Sequence, residues 1–248
     1  MSMIHSPSEA LLSVNVVPMV QTVAPLRLGV MASGSGSNFE AIAQSIEAGS
    51  LNAQVQVLIY NNPSATVCDR AQKFEIPTVL HNHREAPSRE ALDQAIVQTL
   101  KDYDVECVIM AGWMRIVTPV LINAFPDQIL NIHPSLLPSF KGIRAVEQAL
   151  EAGVKIAGCT VHRVVAAVDS GEIIAQAAVP VFEDDTPTAL QERIHLQEHR
   201  HLRPEAIARL CRTFAHKKSV RKLPAEFISK APQHLVKYMG KFVISCRP

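Results

Sequence analysis

Hydrophobic residues in most of this chain form short continuous runs that alternate with longer amphipathic stretches. Runs rich in β-branched residues predict buried strands, and the stretches between them predict helices. We expect strands at 26–31, 55–60, 78–81, 105–110 and 129–132, and helices at 38–47, 65–74 and 88–101. This alternation is typical of an α/β fold of the Rossmann-like class, in which a mostly parallel sheet carries helices on both faces.

The pattern changes after residue 132. Residues 159–165 and 172–181 flank the turn-like Asp169-Ser170-Gly171 and predict a C-terminal antiparallel hairpin, which would make the sheet mixed. A long helix is expected over 187–209, kinked or split at Pro204. We therefore predict one domain over residues 26–210.

The two ends of the chain differ from this domain. The apolar run near the start has no lysine or arginine before it and is interrupted by Pro18, so residues 1–25 are predicted to be a flexible extension and not a signal peptide. In residues 211–248 the lysines and arginines are opposed by Glu226 alone. Few aromatic residues lie between them, so we expect a solvated basic tail more than a nucleic-acid-binding one.

Composition narrows the class of partner. The 24 basic and 23 acidic residues leave a formal charge of +1, which gives no overall field towards nucleic acid or a membrane surface. No run approaches the roughly 20 apolar residues of a membrane span. The five cysteines are scattered without a C-x-x-C pair and are expected to be reduced thiols. We predict a cytoplasmic protein whose partners are small molecules.

A glycine-rich loop follows the first predicted strand. Residues 33–38 read Ser-Gly-Ser-Gly-Ser-Asn and lead into a helix, where free N–H groups and the helix dipole favour an anion. Phe39 and Glu40 stand where a dinucleotide fingerprint needs glycine and a P-loop needs lysine and a hydroxyl residue. A single phosphate, as on a ribose phosphate, fits better. A tight turn that needs glycine only for its backbone geometry is the alternative.

Asn131 and His133 lie at the end of a buried strand, at the sheet edge where open α/β folds place their ligands. An amide can donate to a developing oxyanion while an imidazole exchanges a proton, which suits acyl transfer. Asp169 is the candidate carboxylate that would favour the cationic form of His133. Ser135 lacks a G-x-S-x-G elbow, so direct transfer between two bound substrates is expected. Loop-capping residues and a turn former are the alternative reading of these three residues.

In order and spacing, several segments resemble the phosphoribosylglycinamide formyltransferases, folate-dependent enzymes of purine synthesis. The likeness runs over about 26–210, through 33–38, 88–91, 111–116, 131–138, 158–162, 168–171 and 197–199. The string Asn-Ile-His-Pro-Ser-Leu-Leu-Pro at 131–138 has related versions in methionyl-tRNA formyltransferase and formyltetrahydrofolate deformylase. The glycine loop at 33–38 favours the purine enzyme among them.

The resemblance implies a role for each matching residue. Asn131, His133 and Asp169 would be the catalytic set, and the formyl group would pass directly from 10-formyltetrahydrofolate to a glycinamide amine without a metal. The ribonucleotide would be held by Gly36, Ser37, Asn38 and Glu198. The folate would be bound by Arg89, Met114, Arg115, Ile116, Val117 and Asn131. Such an enzyme would be a monomer or homodimer.

The segment around Glu198 departs from the family pattern. His195 stands where glutamine is usual, and the spacing from His199 to Pro204 is one residue longer, which predicts a distorted helix. Residues 195–199 also match the H-x-x-E-H of inverted zinc peptidases, although no partner pattern for a third ligand follows. A zinc hydrolase, a formyltetrahydrofolate deformylase and a non-catalytic ribonucleotide- or folate-binding protein are the alternative functions.

Overall fold

The described part of the protein, residues 24–199 of a computed structural model, is built on a seven-stranded sheet. Its strands are β1 Leu26–Ala32, β2 Ala53–Tyr60, β3 Thr78–Leu80, β4 Cys107–Met110, β5 Ile129–His133, β6 Ile156–Arg163 and β7 Ile173–Pro180. Their order across the sheet is β3-β2-β1-β4-β5-β6-β7. The pairings from β3 to β5 are parallel, and β6 and β7 are antiparallel to their neighbours. The predicted Rossmann-like mixed sheet with a C-terminal hairpin is confirmed.

The described residues include six helices, of which the first five connect strands and the last follows β7. They are α1 Ser37–Glu47, α2 Val67–Lys73, α3 Arg89–Asp102, α4 Pro119–Ala124, α5 Ala145–Glu151 and α6 Pro187–Gln197. Side-chain caps explain where three of them begin, because the hydroxyls of Ser88, Thr118 and Thr186 accept hydrogen bonds from the first turns of α3, α4 and α6. The sequence did not predict α4 or α5. With six and seven residues, each spans only about two helical turns, which gives a weak periodic signal.

The central strands are buried on both faces, which is why their sequences are continuous apolar runs. Every residue of β4 is buried, as are all but one of β1. One large cluster packs the sheet against α3 and the loop after β4, and it includes Met31, Ile59, Ile96 and Trp113. No helix within residues 24–199 is long and apolar enough to cross a membrane.

The last described residues lie at the end of α6. Glu198 and His199 form a π-helical turn. The longer spacing from His199 to Pro204, from which a distortion of this helix was predicted, lies outside the described residues. The predicted N-terminal extension, the helix beyond His199, the kink at Pro204 and the basic tail lie outside the described residues. The domain boundaries at 26 and 210 therefore stay predictions.

Candidate active site

A cavity of about 520 Å³ lies beside β5, the strand at which the sheet changes from parallel to antiparallel. Its walls come from the segment after β4, the end of β5, the loop between β6 and β7, and one face of α6. Open α/β folds bind ligands outside the carboxyl ends of their parallel strands, and this cavity has that position.

Most of the predicted site residues line this cavity. They are Asn38, Met114, Arg115, Ile116, Val117, Asn131, His133, Asp169 and Glu198. Gly36 and Ser37 are not among the lining residues and lie beside Asn38 at the start of α1. Arg89 is exposed at the first position of α3, away from the lining. The structure thus brings the catalytic candidates together with one residue of the glycine loop and with Glu198.

The pairing of β5 with β6 sets the positions of the polar side chains. Asn131 lies directly opposite His162, and His133 lies opposite Thr160. Residues two apart on a strand project from the same face, and directly opposed residues share that face. These four side chains therefore form one polar group on a face of the sheet, and Gln176 of β7 joins it by donating to Thr160 Oγ1 at 3.0 Å.

His133 is buried, and both of its ring nitrogens face polar groups. Nε2 lies 2.8 Å from the carbonyl oxygen of Phe140. Because a carbonyl oxygen can only accept, Nε2 carries a hydrogen and donates it. The other nitrogen, Nδ1, lies 3.5 Å from Oδ2 of Asp169. A hydrogen on Nδ1 would therefore face the Asp169 carboxylate.

Asp169 sits between two histidines. Its Oδ2 accepts a hydrogen bond of 2.8 Å from the Gly142 N–H, and its Oδ1 lies 3.5 Å from Nε2 of His162. Burial alone would raise the pKa of Asp169, but its contacts with His162 and the Gly142 N–H and the positive charge of His133 outweigh burial and lower the pKa. The carboxylate is ionised at neutral pH and stabilises positive charge on the facing imidazole.

His162 is the functional candidate to which the sequence analysis gave no role. Its Nδ1 lies 2.8 Å from the carbonyl oxygen of Arg163 and must donate to it. Its Nε2 lies 3.2 Å from Nδ2 of Asn131 and 3.5 Å from Oδ1 of Asp169. Without a hydrogen, Nε2 accepts from the Asn131 amide, and with one it donates to the Asp169 carboxylate. The contact with His162 involves one N–H of the Asn131 amide and leaves the second for a ligand. The sequence pattern that could have indicated His162 is the pair of polar residues Thr160 and His162, which alternate with apolar residues along β6.

Two loops that carry the catalytic candidates are tied down by hydrogen bonds. Thr160 Oγ1 donates to the Ser135 carbonyl at 2.6 Å and accepts from the Leu137 N–H at 3.1 Å. On the other side, Lys141 Nζ donates to Ser170 Oγ at 2.6 Å. The loop after β5 is thus held to both β6 and the Asp169 loop.

The glycine loop meets α6 at one wall of the cavity. Gly36 has a φ of 76°, and a Cβ placed there would lie 2.2 Å from the Val67 side chain, so the backbone itself requires glycine. The loop therefore does need glycine for its backbone geometry, as the alternative interpretation proposed. Its anion-binding role stays a prediction. Asn38 Nδ2 donates to Glu198 Oε2 at 2.9 Å, and Glu198 is only 2% exposed. His195 Nε2 lies 3.9 Å from the same oxygen.

The H-x-x-E-H segment places two histidines in contact. The rings of His195 and His199 stack with centroids 5.9 Å apart. Within residues 24–199, no three or more histidine, cysteine, aspartate or glutamate side chains are grouped so as to hold a metal ion. The described part of the chain therefore offers nothing that favours the zinc hydrolase.

The sequence of this chain is similar to those of known enzymes of purine synthesis. A phosphoribosylglycinamide formyltransferase of Bacillus subtilis is 43% identical over 174 residues, which are 70% of this chain and 89% of that protein. A human protein named trifunctional purine biosynthetic protein adenosine-3 is 44% identical over 174 residues, but these span only 17% of its length.

Solved structures show the same relationship. A glycinamide ribonucleotide transformylase of Symbiobacterium toebii superposes with a TM-score of 0.74 at 45% identity, over 77% of this chain and 90% of that one. A phosphoribosylglycinamide formyltransferase of Bacillus halodurans gives 0.72 at 45% identity, over 74% and 94%. The formyl transferase family model matches residues 26–207. The chain therefore belongs to the formyl transferase family.

Proposed function

We propose that this protein transfers the formyl group of 10-formyltetrahydrofolate to the glycinamide amine of 5-phosphoribosylglycinamide, in cytoplasmic de novo purine biosynthesis. The observation that carries the proposal is the convergence of Asn131, His133 and Asp169 on a cavity that Asn38 and Glu198 also line. The names of the relatives from Bacillus subtilis and Symbiobacterium toebii support this choice of acceptor.

The catalytic residues have the chemistry that direct transfer needs. The acceptor amine attacks the formyl carbon, a C–N bond forms, and the carbonyl electrons move to oxygen. The second N–H of Asn131 and the positive charge of His133 stabilise that oxyanion. As the tetrahedral intermediate collapses, the bond to the folate nitrogen breaks and the amine proton passes to that nitrogen, directly or through water. Asp169 keeps the positive charge on His133 throughout.

The binding assignments rest on the resemblance of single residues to the family pattern. Gly36, Ser37 and Asn38 would hold the phosphate, and Glu198 would hold the sugar or glycinamide end. The folate side would be formed by Met114, Arg115, Ile116 and Val117 together with Asn131 and Arg89. Met114 and Ile116 are 73% and 55% exposed, which leaves apolar surface at the cavity for an aromatic ligand. The reaction as proposed uses no metal.

A formyl-transfer assay with both substrates tests the proposal. We expect one tetrahydrofolate and one formylated ribonucleotide per turnover, and little formate when the acceptor is omitted. Formate release that does not depend on the acceptor would identify a deformylase. Tight binding of either substrate without turnover would identify a non-catalytic binding protein. Sedimentation of the purified protein tests whether it is a monomer or a homodimer, as expected. The proposal includes no nucleic acid or membrane partner.

A further inference from the structure

Helix α2 touches the glycine loop at three points. The Val67 N–H donates to the Gly34 carbonyl at 3.2 Å, and the Val67 side chain fills the space beside Gly36. One turn further on, Arg70 Nε donates to the Ser35 carbonyl at 2.8 Å. Two consecutive carbonyls of the loop are thus drawn towards the same short helix.

This contact sets the direction of the loop's donors. In a planar trans peptide the C=O and N–H point in opposite directions. With the Gly34 and Ser35 carbonyls turned towards α2, the N–H groups of Ser35 and Gly36 point away from it. Successive N–H groups aimed the same way form the concave donor surface that binds anions. Arg70 supplies the contact that fixes the second of these peptides.

Arg70 also neutralises a charge that would oppose an anion. Glu40 lies in the first turn of α1, close to the helix end at which the loop presents its N–H groups. Its carboxylate forms an ion pair with the Arg70 guanidinium, and Lys73 Nζ approaches it at 3.7 Å. The Glu40 and Arg70 side chains are only 20% and 31% exposed, so solvent screens this pair incompletely. Without Arg70, the Glu40 carboxylate would keep only Lys73, whose side chain is 65% exposed, and would repel a phosphate more strongly.

We propose that Arg70 is a positioning residue for the phosphate of the acceptor substrate, acting through the Ser35 carbonyl and Glu40 without reaching the reacting atoms. This inference rests on the proposed function for the identity of the acceptor. It extends that function by placing a determinant of phosphate affinity on α2, outside the cavity lining. The planar guanidinium donates from Nε to the carbonyl and pairs through its terminal nitrogen with the carboxylate in one fixed geometry. The flexible point charge of a lysine and the uncharged amide of a glutamine do not reproduce this arrangement.

The kinetic test uses Arg70→Gln, with Lys73→Gln as the matched control on the same helix. We expect Arg70→Gln to raise the KM for the ribonucleotide about tenfold, with kcat and the folate KM within about twofold of wild type. With glycinamide riboside, which lacks the phosphate, Arg70→Gln and wild type should be equal. Lys73→Gln should behave as wild type. An equal loss with the riboside, or a fall in kcat alone, overturns the inference.

A binding test separates this inference from the proposed function. Ribose 5-phosphate is titrated into the full-length proteins by calorimetry at low salt, with no formyl donor present. We expect binding to wild type and to Lys73→Gln, and about tenfold weaker binding to Arg70→Gln. Equal affinity, or no binding to wild type, overturns the role of Arg70 whatever the transfer assay shows. If Arg70→Gln does not fold, Arg70→Lys replaces it, and an unchanged ribonucleotide KM in that variant overturns the inference.

Discussion

Asp169 presents Oδ2 to Nδ1 of His133 across 3.5 Å, with the two side chains only 10% and 6% exposed. Solvent and salt screen a pair of this kind much less than a surface pair. Because Nε2 of His133 donates to the Phe140 carbonyl, the carboxylate faces the other ring nitrogen, Nδ1. The carboxylate therefore stabilises positive charge on the imidazole, and its removal should affect turnover more than folding.

Replacing the carboxylate tests this relationship directly. We expect Asp169→Ala to fold and to lose about a hundredfold in kcat, because the positive charge on His133 loses its stabilisation. Steady-state kinetics and circular dichroism of the purified variant provide the check. Asp184→Ala, at an exposed loop position outside the cavity, should retain wild-type turnover. Wild-type turnover in Asp169→Ala would refute the catalytic assignment.

The amide of Asn131 is predicted to stabilise the oxyanion. We expect Asn131→Ala to lower kcat on the order of a hundredfold or more, since one oxyanion donor is lost. Single-turnover measurements separate this loss from an effect on binding, and the far-ultraviolet spectrum should be unchanged. A variant that raised only the KM values would show that Asn131 binds substrate without stabilising the transition state.

The stability of the protein should depend on Asp169 in the acid range. Its pKa in the folded protein lies below the ordinary value of 3.8, because the contacts with His162 and Gly142 and the charge of His133 outweigh burial. The stabilising contribution is therefore complete above the unfolded value and is lost as pH falls through the folded one. Thermal unfolding of wild type and Asp169→Asn should differ by a constant amount from neutral pH to about pH 5 and converge in stronger acid. A gap that widened on acidification would contradict this.

Asp93 should show the opposite dependence. It is 2% exposed, and burial raises its pKa above 3.8 even though its Oδ2 accepts a hydrogen bond from the Thr118 N–H. Such a group stabilises the fold below the unfolded pKa and loses this contribution as pH rises through the folded pKa. We expect Asp93→Asn, which keeps the acceptor without the charge, to be as stable as wild type or more stable at pH 7.

The matched variant for this position is Asp93→Ala. It leaves the buried Thr118 N–H without an acceptor and should destabilise the protein by about 1–3 kcal/mol. Urea unfolding of both variants at pH 7 provides the measurement. Equal destabilisation by Asn and Ala would show that the charge of Asp93, and not its hydrogen bond, is the stabilising element.

How well the sequence predicted each helix and strand depends on how long its hydrophobic pattern is and on whether turn residues separate it from its neighbours. Strands β1 and β4 and the β6–β7 hairpin were predictable because buried strands are continuous apolar runs with turn residues between them. Helices α4 and α5 were not, since six or seven residues span about two helical turns and give only a weak period. Helix α2, with seven residues, was predicted as part of the longer stretch 65–74.

The sequence also predicted some of the site residues and not others. Asn131 and His133 stand out as polar residues at the end of a buried strand. His162 does not, because its importance comes from lying opposite Asn131, and strand register is a property of the folded sheet. The Phe140 carbonyl that occupies His133 Nε2 is a main-chain atom, for which the residue type gives no signal.

The direct pairing of Asn131 with His162 also limits how this protein can change. Side chains alternate between the two faces of a sheet, so a shift of β6 by one residue would turn His162 and Thr160 to the opposite face. Such a shift would remove the partner of the Asn131 amide and the anchor of the Ser135 and Leu137 backbone in one step. Insertions should therefore be tolerated in the connection between β7 and α6 and should disrupt the site when they fall within β6.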